Sequence, residues 1–314
     1  MDNKLYVSAS PHFRANSSTR KIMLDVIIAL IPATIASVII FGPLSLMLVG
    51  ICVSTCVICE YISRKVMKRD TTVGDLSAVV TGLLLALNLP VNVNPLVAIF
   101  GCIVAIVVVK QMFGGIGMNF VNPALAARIV LLVSFPNAMM TWVKPFFYKE
   151  SVDAIASATP LVAEKGVFSY TELLLGTTGG SLGETCAVAL ILGGIYLVIR
   201  KVISPIIPCV YILSSALMSF VIGQDPLYQV LSGGLLLGAI FMATDYVTSP
   251  ITKWGKVIYA IGCGVLTILL RTYSNMPEGA SFSILLMNIL TPLIEMSTTP
   301  RPLGKIKKAK GDSK

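Results

Sequence analysis

Long apolar runs dominate this sequence, and they leave it few folds to choose from. Between Asp25 and Glu60 no residue is charged. A membrane-crossing helix needs about 20 predominantly apolar residues. Windows of that kind predict spans near 21–40, 44–62, 76–90, 95–110, 119–135, 184–200, 205–222, 227–243, 257–271 and 281–297, about ten in all. The third, fourth, fifth and ninth are short or broken. Only 12% of the 314 residues are charged, and the mean hydropathy is +0.86. An average soluble domain carries about 25% charged residues and could not hide so much apolar surface. The expected fold is therefore an all-α polytopic protein embedded in a lipid bilayer.

The net charge of +9 does not point to nucleic acid. Its basic residues sit in short clusters between the apolar runs, with no basic stripe interleaved with aromatics. They read instead as orientation signals. Arg14, Arg20 and Lys21 precede the first span, and Arg64, Lys65, Lys68 and Arg69 follow the second. Lys110 closes the fourth, Arg200 and Lys201 close the sixth, and Lys253 and Lys256 follow the eighth. Lys305, Lys307, Lys308 and Lys310 follow the tenth. Ten spans with a cytoplasmic N-terminus put all of these on the cytoplasmic side. The expected organisation is a cytoplasmic tail over 1–20, a first five-helix half over 21–135 and an outer loop over 136–183. A second half over 184–298 and a basic cytoplasmic tail over 299–314 complete it. The polar N-terminus does not resemble a cleaved signal peptide.

The two halves share short strings. Gly82 to Pro95 resembles Gly234 to Pro250, and Asn119 to Pro123 resembles Asn288 to Pro292. Five helices per half is an odd number, so true repeats would be inverted relative to one another, with a site at their interface. Leucine-rich strings also align by coincidence, and both readings stand at this stage.

Phe113-Gly114-Gly115-Ile116-Gly117-Met118-Asn119-Phe120-Val121-Asn122-Pro123 is not an ordinary helix start. Its glycines ease unusual backbone geometry, and Pro123 disfavours a helical Asn122. One reading is a flavin or ion cradle made from free amides, including those of Gly114 and Gly115, with the Asn119 and Asn122 side chains. The other is a polar loop before a proline-initiated helix. Ionisable residues near span ends include Asp25, Glu60, Asp75, Lys110, Arg128, Asp245 and Glu295. Asp75 suits a helix N-cap. Arg128 and Asp245 stand out, because apolar sequence continues beside them and intramembrane charge defaults to function. Asp25, Glu60 and Asp245 are candidates for an ion path.

The single histidine, His12, rules out a His-based triad or a His-rich metal site. No P-loop or Rossmann glycine fingerprint is present, so any redox electrons come from a partner and no stand-alone catalytic site is expected. Cys52, Cys56 and Cys59 share one helical face. They read better as packing residues than as a metal or cluster site, which usually takes four thiolates.

Six stretches together resemble the D subunit of the Rnf complex, and more distantly the B subunit of the sodium-pumping NADH:quinone reductase. They are Ser10 to Arg14 with Ser18-Thr19, Gly74 to Ser77 with Gly82 to Leu87, and Phe113 to Asn119 with Asn122-Pro123-Ala124. The others are Asp153 to Leu161, Phe241 to Asp245, and Pro292 to Glu295 with Pro300-Arg301-Pro302. The resemblance covers nearly the whole chain. It implies a subunit of a bacterial cytoplasmic-membrane complex that passes electrons between ferredoxin and NAD and couples them to Na+ or H+ movement. It also implies FMN joined by a phosphoester to Thr159, the matching threonine of Asp153-Ala-Ile-Ala-Ser157-Ala158-Thr159. A flavin transferase would make the bond and recognise Asp153 and Ser157. Relatives often have a hydroxyl residue and Gly where this chain has Ala156 and Ser157. Non-covalent riboflavin is a further implied cofactor. Implied partners are the other Rnf subunits, including a second covalent-FMN subunit on the outer side. Apart from the resemblance, the residues leave open an inverted-repeat channel or secondary transporter for a small solute.

Overall fold

The computed structural model describes residues 18–149, 159–161, 168–274 and 278–300. The main helices are α1 (Thr19–Phe41), α2 (Pro43–Val66), α3 (Ser77–Leu87), α4 (Pro95–Ile103) and α5 (Pro123–Ser134). Two short helices follow, α6 (Pro136–Met139) and α7 (Tyr170–Leu175). Then come α8 (Ala187–Ile199), α9 (Ile206–Ile222), the short α10 (Pro226–Leu231) and α11 (Leu235–Leu237), α12 (Lys253–Tyr273) and α13 (Gly279–Thr298).

Of these, α1, α2, α12 and α13 are long and apolar enough to cross a membrane. The other apolar helices are shorter. At about 1.5 Å per residue, the 11 residues of α3 reach roughly 16 Å, about half a hydrocarbon core. Two expected spans are irregular within. α4 widens into π-helix at Val104–Gln111, and α11 does so at Gly238–Met242. The window near 227–243 is not one helix, because Ser232 and Gly233 separate α10 from α11, with Gly233 at φ +62°.

Local chemistry explains these boundaries. Asn94, Asn122 and Asp225 each cap a helix whose first residue is proline, accepting backbone N–H groups through the side chain. The N–H of Ser77 donates to Asp75 Oδ1 at 2.8 Å, while Leu76 takes the capping position in the left-handed region. Close crossings rest on small residues, as in membrane bundles. A Cβ on Gly82 would lie 2.8 Å from Val53 Cα, and one on Gly264 would lie 2.9 Å from the Ser215 backbone N. Thus α3 seats on α2, and α12 on α9. α1 packs on α8, and α5 on α13. Cys52 and Cys56 are buried in the core between α2 and its neighbours.

Outward faces are apolar. Ile28, Ile31, Ile35 and Ile39 form an exposed ridge on α1, and Leu213, Leu217, Phe220 and Val221 form one on α9. Such ridges suit lipid, not water. The protein is a multi-pass membrane protein.

Candidate cofactor sites

Two cavities lie at opposite ends of the bundle. One surrounds Thr19 at the start of α1 and Asn122 at the start of α5. The other surrounds Thr159 and Glu278, the residue that precedes α13. We refer to them as the Asn122 pole and the Thr159 pole.

The cavity at the Asn122 pole is about 400 Å³, within the range of small-molecule sites. Ile22, Met23, Val26, Val80, Leu84 and Phe241 supply apolar walls, while Asn119, Asn122 and Asp245 supply polar groups. Each polar group is placed by a break in helix. Asn122 caps α5, and its Nδ2 donates to Met242 O at 3.3 Å. Asn119 Nδ2 donates to Val121 O at 2.9 Å. Asp245 follows the π-helical end of α11, and its Oδ2 accepts from Thr248 at 3.1 Å.

Gly114 and Gly115 are placed differently. Their N–H groups donate to Gln111 O and Lys110 O at 3.1 and 2.9 Å, closing the end of the π-helix. Neither glycine lines the cavity, which takes Ile116 and Gly117 from this loop instead. The positive φ values of +125° and +105° therefore serve a turn. At Gly115 the Arg64 guanidinium leaves no room for a side chain.

Lys110 turns inward from the π-helix. Its Nζ donates to Glu60 Oε1 and Oε2 at 3.1 and 3.2 Å and to Ser77 Oγ at 2.6 Å. Glu60 also accepts from Gln111 and Thr72. Asp25 accepts from Tyr196 at 2.9 Å and pairs with Arg200. Of the three ion-path candidates, two thus sit in ion pairs and only Asp245 faces the large cavity.

The Thr159 pole is tight and polar. Thr159 is 7% exposed, and its Oγ1 has no hydrogen-bond partner among the described residues. Tyr228 donates to the Pro160 carbonyl at 2.9 Å and holds the segment in place. The free space beside Thr159 is about 20 Å³, lined by Trp142, Thr178, Gly180, Glu184, Thr185 and Glu278 among others. A water-sized group fits there and a flavin ring does not. The unspent Thr159 hydroxyl suits an attachment atom, then, while this cavity does not supply the ring's walls. Asp153, Ser157 and Ala158 lie outside the described residues.

Arg128 lies beneath this pocket. About 9 Å separates it from Asn122 along α5, so one helix serves both poles. Its guanidinium donates to Glu184 Oε1 at 2.6 Å, to Glu278 Oε2, to Asn88 Oδ1 and to Ser181 Oγ. Asn88 in turn donates to Met242 Sδ at 3.7 Å. A polar string, Asn122–Met242–Asn88–Arg128–Glu278, therefore connects the two cavities. Sequence reasoning singled out Arg128 but missed Glu184, Glu278 and Asn88. The available signal was weak: each glutamate is a lone acid beside a glycine, with apolar sequence following.

The chain matches the NQR2, RnfD, RnfE family over residues 6–304. It belongs to that family. Among its relatives is the D subunit of the Na(+)-translocating ferredoxin:NAD(+) oxidoreductase complex of Acetobacterium woodii, 49% identical over 97% of each chain. The D subunit of the proton-translocating ferredoxin:NAD(+) oxidoreductase complex of Clostridium ljungdahlii is 40% identical over 96% of this chain and 97% of its own. The D subunit of the ion-translocating oxidoreductase complex of Stutzerimonas stutzeri is 36% identical over 92% and 93%. This NQR2/RnfD/RnfE chain thus aligns with D subunits along almost its full length, both cavities included.

Proposed function

We propose that this chain is the D subunit of an ion-translocating ferredoxin:NAD oxidoreductase complex in a bacterial cytoplasmic membrane, carrying FMN as a phosphoester on Thr159. The D-subunit names of its relatives, one of them at 49% identity, support the complex. The observation that carries the flavin reading is the buried Thr159 hydroxyl, without a hydrogen-bond partner among the described residues, at the last position of Asp153-Ala-Ile-Ala-Ser-Ala-Thr159. A threonine hydroxyl is a weak nucleophile, so a separate flavin transferase forms the bond, reading Asp153 and Ser157. Once bound, the flavin supplies reversible electron transfer, and the protein tunes its potential through charge and hydrogen bonding.

In this reading the Asn122 pole holds a second, non-covalent flavin, riboflavin, with Asn119, Asn122 and Asp245 as hydrogen-bonding groups and the surrounding aliphatic residues against its ring. The space of about 400 Å³ and the polar-in-apolar lining support this. Electrons enter at the Thr159 pole from a partner protein that also carries covalent FMN, and pass inward. We further propose ten crossings in two inverted five-helix halves, with both termini and the Asn122 pole cytoplasmic. One feature supports that arrangement: the basic residues Lys110, Lys201, Lys253 and Lys256 all fall on one side of such a topology.

The test is a denaturing gel viewed under ultraviolet light, run on full-length protein co-expressed with a flavin transferase. A fluorescent band that disappears in Thr159→Ala but persists in Asp245→Asn is expected. Peptide mass spectrometry should place an FMN-sized adduct on Thr159. A dark wild-type band, or fluorescence surviving in Thr159→Ala, would sink the assignment.

A further inference from the structure

Arg64 is a buried cation in need of an anion. It lies in the last turn of α2 and is 8% exposed. Its guanidinium makes no hydrogen bond and no ion pair among the described residues, and its Nε is fully buried. The adjoining loop comes so close that a Cβ on Gly115 would stand 2.2 Å from Arg64 Nη2. Glu60, one turn back on α2, is the nearest acid along the helix. Its oxygens already accept from Lys110, Gln111 and Thr72, and Lys110 cancels its charge. Lys65, Lys68, Arg69 and Asp70 follow on the surface, three cations against one acid. Gln111 Oε1, beside Gly115, also lacks a partner among the described residues. One bridging water satisfies that oxygen and a guanidinium N–H, but it leaves the charge. Burying a lone charge is costly unless an opposite charge meets it.

The guanidinium fork matches the oxygens of a phosphate or a carboxylate. The surroundings choose between them. Met112, Phe113, Met118 and Phe120 of the same loop are exposed, with the Phe113 and Phe120 rings edge to face at 4.9 Å. On α2, a helix long and apolar enough to cross the membrane, Ile58, Ile62 and Val66 are exposed at one-turn spacing and lead up to Arg64. Arg64 therefore sits where a bilayer has its headgroups, with apolar surface running from it toward the hydrocarbon. An anion that carries its own apolar chains fits both the charge and the surface, whereas an acidic side chain fits only the charge. Exposed lysines at such a level also attract anionic lipid.

We infer that Arg64 and the 112–120 loop hold one anionic phospholipid. Its phosphate meets the guanidinium, and its acyl chains lie against the loop's phenylalanines and methionines and the Ile58–Ile62–Val66 ridge. The site is independent of both flavin readings.

The test uses full-length protein, delipidated in a neutral detergent. Its thermal midpoint is followed as phosphatidylglycerol is added at fixed detergent concentration. The midpoint should rise saturably with phosphatidylglycerol, but not with phosphatidylcholine at the same mole fraction or with inorganic phosphate. Arg64→Gln should raise the half-saturating lipid fraction by about tenfold or more, equivalent to about 1.4 kcal/mol. Without lipid, Arg64→Gln should melt no lower than the parent, because it removes a charge that has nothing to pair with. Lys65→Gln and Lys68→Gln, at exposed positions, should respond to phosphatidylglycerol as the parent does. An equal response to phosphatidylcholine, or an unchanged response in Arg64→Gln, would overturn the site. So would a loss in the lysine variants as large as in Arg64→Gln, which would mean diffuse surface attraction. A full response to inorganic phosphate would leave a free anion as the occupant and overturn the lipid. No response to phosphatidylglycerol would leave an acidic group of a partner protein in its place. A lipid-free Arg64→Gln that melts below the parent would also overturn the site, by showing that the guanidinium is already paired within the chain.

Discussion

The two poles solve the problem of polar groups inside a membrane protein in opposite ways. At the Asn122 pole, polar residues such as Lys110, Asn119, Asn122 and Asp245 make hydrogen bonds with their neighbours, and they border a roomy, largely apolar space. The Thr159 pole concentrates Arg128, Glu184, Glu278 and several hydroxyls around a space for one water-sized group. Loose packing with satisfied polar groups suits a ligand large enough to fill it. Tight packing around oxygens that lack a partner among the described residues suits an attachment point. α5 bridges the two, offering Asn122 to one cavity and Arg128 to the glutamates that line the other.

The largest expected effect breaks the charged pole. Arg128→Leu strands two buried carboxylates, and removing one partner of a buried pair costs about 3–5 kcal/mol. Thermal unfolding of the detergent-solubilised protein should show a collapse in folded yield or midpoint. The triple variant Arg128→Leu, Glu184→Gln, Glu278→Gln should recover much of the loss. Equal instability in the triple variant would mean that Arg128 acts through packing and not through charge.

An intermediate effect compares added volume at the two poles. Val80→Phe has the large cavity to enter and should cost less than about 1 kcal/mol. Gly180→Val faces the small one, where an added Cβ would stand in ordinary contact 3.5 Å from Thr185 Cγ2 and the two methyls beyond it would overfill the space, and it should cost about 1–3 kcal/mol. Val80→Phe should also deplete extractable riboflavin while leaving gel fluorescence at Thr159 unchanged. Equal destabilisation at both poles would contradict the difference in free volume.

The smallest effect lies just outside the Thr159 pole. A hydrogen bond from Tyr170 holds the Asp225 carboxyl below its usual range. A depressed carboxylate stabilises the fold above its unfolded pKa, and that contribution is lost as pH falls through the folded value. The midpoint difference between wild type and Tyr170→Phe should therefore be small and steady near neutral pH. It should close at acid pH, below about 4. A difference that grows toward low pH would rule out this linkage.

Much of the fold was legible in the sequence because burial in lipid is a local demand. Each apolar window must satisfy its own backbone, so α1, α2, α12 and α13 lie close to their expected bounds. Asn94-Pro95 and Asn122-Pro123 announce helix starts by capping chemistry, which is equally local. The broken elements were less legible. The window near 227–243 reads as one span by hydropathy, yet Ser232-Gly233 interrupts it and Gly238–Met242 runs as π-helix. Composition carries no signal for hydrogen-bond register.

The sequence alone determined the membrane class, the polar breaks at Asn119–Pro123 and the threonine at the end of its motif. Only tertiary structure decided that Gly114 and Gly115 close a turn, leaving Asn119, Asn122 and Asp245 to line the cavity. It also decided that Arg128 meets Glu184 and Glu278, 56 and 150 residues away in the chain. A charge in an apolar run declares that it needs a partner, because burying it alone is prohibitive. Which partner it finds depends on helix packing, and no spacing in the sequence encodes that.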